Sequence, residues 1–213
     1  MNIGANSITD TGLYFQWGDT QGYTASQVGS GEGQKYFGCA GYKYGNGTSD
    51  PGAAGMTKYN STDGKTVLEA ADDVARAAWG GQWRMPTTAE YAALHNAVNA
   101  VWTYNYQGSG VSGLVCTDKT DNSKVLFFPA CGVCSGGSVA QVGICGGCWS
   151  STLYATDVQY AFDFDFFSGG VAWQGGGLRY CGIPVRGVID ETPLSTVAYS
   201  GDYNDLSNKP TIP

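Results

Sequence analysis

The stretch Gly80-Gly81-Gln82-Trp83-Arg84-Met85-Pro86-Thr87-Thr88-Ala89-Glu90 holds a turn, an apolar segment and a helix start in immediate succession. The paired glycines mark the turn. Thr87 as N-cap and Glu90 three residues on compose a capping box, in which each side chain satisfies a backbone N–H at the other's position. Behind it Tyr91, Leu94, Val98 and Val101 recur at helical spacing, which predicts one helix carrying all four. His95 sits beside that stripe and reads as a surface or boundary residue. It is the only histidine, so histidine-based triads and most zinc enzyme sites are excluded.

Upstream, Leu68 to Trp79 has a short, alanine-rich helical pattern. It contains Asp72 and Asp73, read as acids on a solvated face rather than as catalytic or metal-binding carboxylates. Tyr14-Phe15-Gln16-Trp17-Gly18-Asp19 predicts a short strand entering a turn. Gly45-Asn46-Gly47 and Asp50-Pro51-Gly52 are further turn signals. Downstream of Gly113 the period changes to two. Leu114-Val115-Cys116 and Lys124 to Pro129 read as paired strands around the turn from Asp118 to Ser123. From Gln159 to Phe166, Tyr160, Phe162, Phe164 and Phe166 share one face; Gln159, Ala161, Asp163 and Asp165 share the other. Ile183 to Val188 reads as a last strand. Helices first and an antiparallel, glycine-rich β region after them make an α+β pattern. Residues 1–189 form one domain on this reading. The polar, proline-bearing stretch 190–213 reads as a linker or the start of a tail-fibre segment.

Composition narrows the function. Of 213 residues, 42% are hydrophobic and only 14% charged, with 33 Gly, 14 Tyr and 6 Trp. That mixture favours aromatic strands and many turns over a helical bundle or disorder. A net charge of −7 would repel a phosphate backbone or an anionic membrane, which argues against nucleic-acid partners. No apolar run is long enough to span a bilayer, so no membrane insertion is expected. Met1-Asn2-Ile3-Gly4 does not read as a secretory signal. Seven cysteines cannot all pair within one chain.

Five short motifs stand in order: Gly80-Gly81-x-Trp83-Arg84-Met85-Pro86-Thr87, then Glu90, then Phe127-Phe128-Pro129, then Trp149-Ser150-Ser151-Thr152, then Gly182-x-x-Val185-Arg186, with Tyr14 to Asp19 and Asp72-Asp73 ahead of them. This order resembles the Fibrobacter major paralogous domain, a branch of the C-type-lectin-like fold shared with the formylglycine-generating enzymes. The resemblance covers about residues 2–188. It implies a C-type-lectin-like fold, an aromatic frame containing Trp17, Trp79, Trp83 and Trp149, and framework roles for Arg84 and Arg186. Proteins of this kind occur on bacterial surfaces. They also occur in phage tails as the variable proteins of diversity-generating retroelements. The segment Val197 to Leu206 with Lys209-Pro210-Thr211-Ile212-Pro213 is similar to repeated tail-fibre sequences, which favours the virion tail over the bacterial cell surface as location.

In such systems the adenines of template Asn codons are randomised, and Lys, Glu, Met, Gln and Trp cannot be reached from AAC. Between Ala130 and Val188 there is no Lys, Glu, Met or Asn. Cys145, Gly147, Cys148, Tyr154, Ala155, Asp157, Gly175, Gly176, Gly177, Leu178, Tyr180, Cys181 and Ile183 all belong to the reachable set. The plainer account is that a glycine-rich β region simply lacks long charged side chains.

The ligand-binding residues this implies are Tyr154, Ala155, Asp157, Phe167, Trp173, Gln174, Leu178, Tyr180, Cys181 and Ile183, with the aromatic ones as rigid anchors. The implied partner is a host cell-surface protein or glycan, and the implied assembly, as in tail fibres generally, is a homotrimer. No catalytic role and no cofactor are expected: a formylglycine-type cysteine pair cannot be placed, and Ser150 and Ser151 lack a base. Calcium-dependent sugar binding lacks its cluster of acidic and amide ligands. The rival reading is a zinc-binding structural module, because Cys131-x-x-Cys134 and Cys145-x-x-Cys148 have the spacing of paired thiolate turns.

Overall fold

Two helices, α1 (Val74–Trp79) and α2 (Thr88–Ala97), flank the short strand β1 (Trp83–Arg84) in the computed structural model, which describes residues 1–49 and 52–190. The capping box is present as the sequence predicts. Thr87 Oγ1 accepts from the Glu90 N–H at 3.3 Å, and Glu90 Oε2 accepts from the Thr87 N–H at 2.8 Å. The helix is shorter than the apolar spacing suggests. Val98 and Val101 lie in strand β2 (Val98–Thr103), because its residues pair antiparallel with β3 (Gly113–Asp118), Val98 opposite Asp118. Valine favours strand geometry, and the ladder settles the choice.

α1 also starts later than the alanine-rich pattern implies, and its two acids are buried rather than solvated. Asp73 is the N-cap, accepting from the Ala75 and Arg76 N–H groups, and its second oxygen accepts from the Met85 N–H at 2.8 Å. Asp72 binds Lys43 at 3.0 Å, Lys58 at 2.6 Å and the Tyr59 hydroxyl at 2.6 Å. Gly80 ends the helix at φ +66°, a conformation that side chains with a Cβ resist.

The β region is antiparallel, as read. β2 and β3 continue into β4 (Val125–Pro129), with Val115 opposite Phe127. A small hairpin joins β5 (Val133–Ser135) to β6 (Ser138–Ala140). The second three-stranded sheet is β7 (Cys145–Leu153), β8 (Tyr160–Phe167) and β9 (Gly170–Leu178), in that order. Instead of a strand over Ile183–Val188, Ile183 makes a single bridge to Phe15. Only β10 (Val188–Ile189) is a strand, paired with β1. Few helices and many antiparallel strands make the chain α+β. From residue 191 on, the expected linker lies outside the described residues.

β8 and β9 are out of step by one residue. Asp163 faces Gly175, but Asp165 faces Ala172, so Trp173 and Gln174 together oppose Phe164. This β-bulge sends Trp173 inward onto Phe164, with ring centroids 4.8 Å apart. Tyr91 of α2 stacks on the other side of Phe164 at 5.2 Å, and His95 covers Trp173 at 5.0 Å. Leu114, Cys116 and Phe128 complete this core between the two sheets.

A second core joins the chain's distant ends. Trp17 donates its indole N–H to the Ser150 carbonyl, and Trp149 donates to the Phe15 carbonyl, each at 2.8 Å. Phe15, Trp17, Tyr42, Tyr59, Met85, Trp149, Ile183 and Val185 are all buried there. Trp79 does not join them. It is 42% exposed and packs edge-on against the half-buried Trp83.

Candidate functional site

Along β8 the residues alternate as read, and the face opposite the phenylalanines builds a cleft. Asp163 stands at its floor, only 3% exposed, and Asp165 at its mouth. Each acid has glycine on one side and a side chain on the other, Trp149 of β7 beside Asp163 and Ala172 of β9 beside Asp165. Gly147 of β7 lies opposite Asp165; Gly175 of β9 lies opposite Asp163, and Gly177 opposite Ala161. Close approach leaves little room beside the acids, and at Gly177 a Cβ would also lie 2.7 Å from the Trp149 ring. A Cβ at Gly175 would lie 2.5 Å from Asp163 Oδ1 and 2.6 Å from Asp165 Oδ2; one at Gly177 would lie 2.8 Å from Asp163 Oδ2. The cleft encloses about 240 Å³. Leu178, Cys181 and Ile183 line one side, and Val133, Gln141 and Cys145 another.

A second depression of about 320 Å³ meets the first at Gly176. Tyr154, Asp157, Tyr160 and Gln174 form its other walls. Tyr154 opens the turn that leads into β8. The turn is closed by hydrogen bonds from the Tyr154 N–H to the Tyr160 carbonyl and from the Tyr160 N–H to the Asp157 carbonyl. The Tyr154 ring rests against Phe162 at 4.8 Å. Gln174 donates from Nε2 to Thr88 Oγ1 at 3.1 Å, which fixes its amide at the start of α2.

The predicted ligand residues thus fall into three groups. Tyr154, Asp157 and Gln174 gather around the second depression, with Ala155 exposed in the same turn. Leu178, Cys181 and Ile183 line the cleft, although Ile183 turns most of its side chain into the core. The remaining three stand apart. Trp173 is buried between His95 and Phe164 because the bulge turns it inward. Phe167 is 53% exposed, but it sits at the far end of β8 opposite Gly170. Tyr180 packs against the core through its ring, and burial raises its hydroxyl pKa, helped by Cys39.

Asp163 and Asp165 are the residues that sequence reasoning did not single out. Burial raises the Asp163 pKa well above the carboxylate range, and the neighbouring Asp165 adds to the effect. Burial raises the Asp165 pKa as well. Among the described residues, neither carboxylate has an ion-pair partner, and Asp163 Oδ1 accepts no hydrogen bond. Their alternation with phenylalanine was visible in the sequence. The glycines that bare them lie on other strands and become neighbours only through the register.

The cysteines do not form the paired thiolate set. Cys131 and Cys134 are buried together with Tyr14, Val28 and Phe37, whereas Cys148 points into the core between the sheets. Cys145 donates to Gln141 Oε1 at 3.1 Å. Burial pushes the Cys148 thiol up to about 11 and Cys134 up to about 12. Among the described residues, no three His, Cys, Asp or Glu side chains converge in metal-binding geometry.

Arg179 is fully buried and belongs to the frame. Its guanidinium donates to the Tyr42 hydroxyl and to the carbonyls of Lys58, Tyr59 and Val158, and lies 4.8 Å from the Trp17 ring. A larger apolar groove of about 480 Å³ runs between α2 and β4, lined by Tyr91, Leu94, Leu126 and Phe128 among others. It includes none of the predicted ligand residues. Compared with family models, curated proteins and solved structures, the chain matches none.

Proposed function

We propose that the chain is a non-enzymatic ligand-binding domain of the C-type-lectin-like fold, similar to the Fibrobacter major paralogous domain. On this reading it is the variable protein of a diversity-generating retroelement and attaches a phage tail to a protein or glycan on the host cell surface. One observation carries the reading. Positions reachable by adenine randomisation cluster in space: Cys145, Gly147, Gly176, Gly177, Leu178, Cys181 and Ile183 line the cleft, while Tyr154, Asp157 and Gly176 line the depression beside it. The cleft and the depression lie on the two sides of the same edge strand, β9, and exposed positions such as Tyr154, Asp157, Gly176 and Leu178, on elements anchored by a buried aromatic core, suit recognition of changing targets.

The motifs behind the resemblance also meet in space, which supports the fold part of the reading. The Ser151 N–H donates to the Pro86 carbonyl, the Trp149 N–H to the Pro184 carbonyl, and Arg186 to the Phe127 carbonyl. Arg84 is held by Glu90 in two hydrogen bonds of 2.7 Å each, and its Nε donates to Asp190.

The test is saturable adhesion of the purified chain to bacterial cells, with Gly176→Arg as the blocking variant. A Cβ at Gly176 meets only the Tyr154 ring, at an ordinary 3.5 Å, so the fold tolerates the change while the new side chain fills the depression beside Tyr154. The expected result is adhesion to a subset of strains, reduced at least tenfold by Gly176→Arg with an unchanged melting temperature. Adhesion that is indifferent to the substitution would remove the face from the function. An adenine-rich repeat of the Cys131 to Val188 coding region beside a reverse transcriptase gene separates the retroelement reading from a fixed bacterial adhesin.

A further inference from the structure

We propose that Asp163 and Asp165 receive a cationic group of the ligand, an alkylammonium or guanidinium, at the floor of the glycine-walled cleft. The inference rests on the ligand-binding reading above and names the chemistry that one part of that face recognises.

The starting observation is an uncompensated buried acid. Asp163 is 3% exposed, and among the described residues its Oδ1 accepts no hydrogen bond. Unpaired buried polar atoms are rare in folded chains because they forfeit hydration and gain nothing in return. The atom itself is covered, but its residue belongs to the lining of a cleft. Asp165 shares that cleft, and both carboxylates approach the place where a Gly175 side chain would stand. The site is therefore anionic, partly dehydrated and open on one side.

The surroundings select an organic cation. Cys145 and Trp149 of β7 and Cys181 of the following segment share the face of the carboxylates, and β9 brings glycine and Leu178; Cys148 of β7 and Tyr91 of α2 lie behind the sheet. Burial keeps each of those thiols and the phenol protonated at neutral pH. The two aspartates are thus the charges that a ligand meets in the cleft. Leu178, Ile183 and Val133 offer apolar walls to an alkyl stem. A calcium ion needs six or more oxygen ligands, and no third acidic side chain joins the pair among the described residues.

Dehydration and mutual repulsion favour one retained proton on the pair. An incoming cation replaces that proton, so occupancy releases a proton and affinity rises with pH.

The experiment uses the whole 15N-labelled chain and follows the Gly175 and Gly177 amides by NMR. Butylammonium and butylguanidinium are the probes, and 1-butanol is the neutral control of like shape. The expected result is saturable shifts with the two cations and none with 1-butanol. Affinity should fall at least tenfold in Asp163→Asn and in Asp165→Asn, and at least tenfold between pH 7.5 and pH 4.5. A lysine-containing peptide and glucosamine then distinguish a protein source from an amino-sugar source; binding of either fits the proposal. No saturable shift with either cation, equal shifts with 1-butanol or with calcium, or undiminished binding by a folded Asp163→Asn chain would overturn it. Asp163→Asn keeps the shape of the side chain and removes an unpaired charge, so folding is expected to survive, and a thermal melt verifies it. If Asp163→Asn abolishes probe binding but leaves cell adhesion untouched, the cation subsite plays no part in attachment and this inference falls, while the ligand-binding reading stands.

Discussion

Arg179 shows what a single side chain does here. It is fully buried, and among the described residues no carboxylate pairs with it. Its donors are spent on three carbonyls and a tyrosine hydroxyl, and its flat face lies over Trp17. A guanidinium can do this because its donors lie in a fixed plane; an ammonium cannot reproduce that fork. Arg179→Lys should therefore cost about 3 kcal/mol, the lower end for breaking a buried charged network. Equilibrium urea unfolding measures it, and a loss below about 1 kcal/mol would show that the clasp is dispensable. Nothing local marks Arg179 for this task. Its partners at positions 42, 58 and 59 are far away in sequence, as are Lys43 and Lys58 from Asp72. Long-range pairings of this kind leave no periodicity, which is why Asp72 reads as a solvated acid although it is a buried hub.

At the scale of elements, the start of α2 was legible and its end was not. The start depends on four consecutive residues, Thr87 to Glu90, whose side chains bond to one another's backbone. The end depends on β3, which captures Val98 to Thr103 as a strand. Helical spacing cannot reveal a competing partner some fifteen residues on, a separation roughly typical of a hairpin with a long loop. Thr87→Ala should destabilise the chain by about 1 kcal/mol. It removes an acceptor from the helix start and a hydroxyl donor to Glu90, whose carboxylate also holds Arg84. Thermal unfolding tests this; the expected mark of a cap is a lowered midpoint with unchanged ligand binding. On the candidate face, Tyr154, Asp157 and Gln174 were named only through the resemblance, and a turn and a nearby strand bring them together around one depression. Trp173 was misplaced because a bulge cannot be seen in an alternating pattern that simply continues.

For the whole molecule, two sets of carboxylates pull the pH dependence of stability in opposite directions. The Arg84 hydrogen bonds lower Glu90 to about 2 against a burial cost. Burial works to raise Asp72, but hydrogen bonds from Lys58, Tyr44, Tyr59 and Lys43 outweigh it and leave the group well below the usual range. Acids depressed in the folded state contribute stability above their unfolded pKa, near 4, and lose it as pH falls toward the folded value. Asp163 and Asp165 are raised, so their contribution is full below about 4 and is lost as pH rises through their folded values. Asp163→Asn should therefore raise the melting temperature at pH 7 and change it little at pH 3.5. Differential scanning calorimetry at the two pH values decides it; a variant less stable at pH 7 would mean that the carboxylate has a stabilising partner. A chain that keeps such an acid in place forgoes stability at one spot, which is where function is to be sought.

The extra residue opposite Phe164 has a consequence for how this strand can change over time. It sets the phase of everything after it: which letters of 175–178 look inward, and which look out over the acids. Swapping one letter for another leaves that phase intact. Dropping Gln174 would erase the bulge and keep Gly175 opposite Asp163, whereas inserting a codon before Gly175 would shift the pairing by one, turning Gly175 and Gly177 to the phenylalanine face and setting the new side chain opposite Asp163. An added residue is what the ladder resists here, and the side chains at Gly176 and Leu178 are what it leaves free.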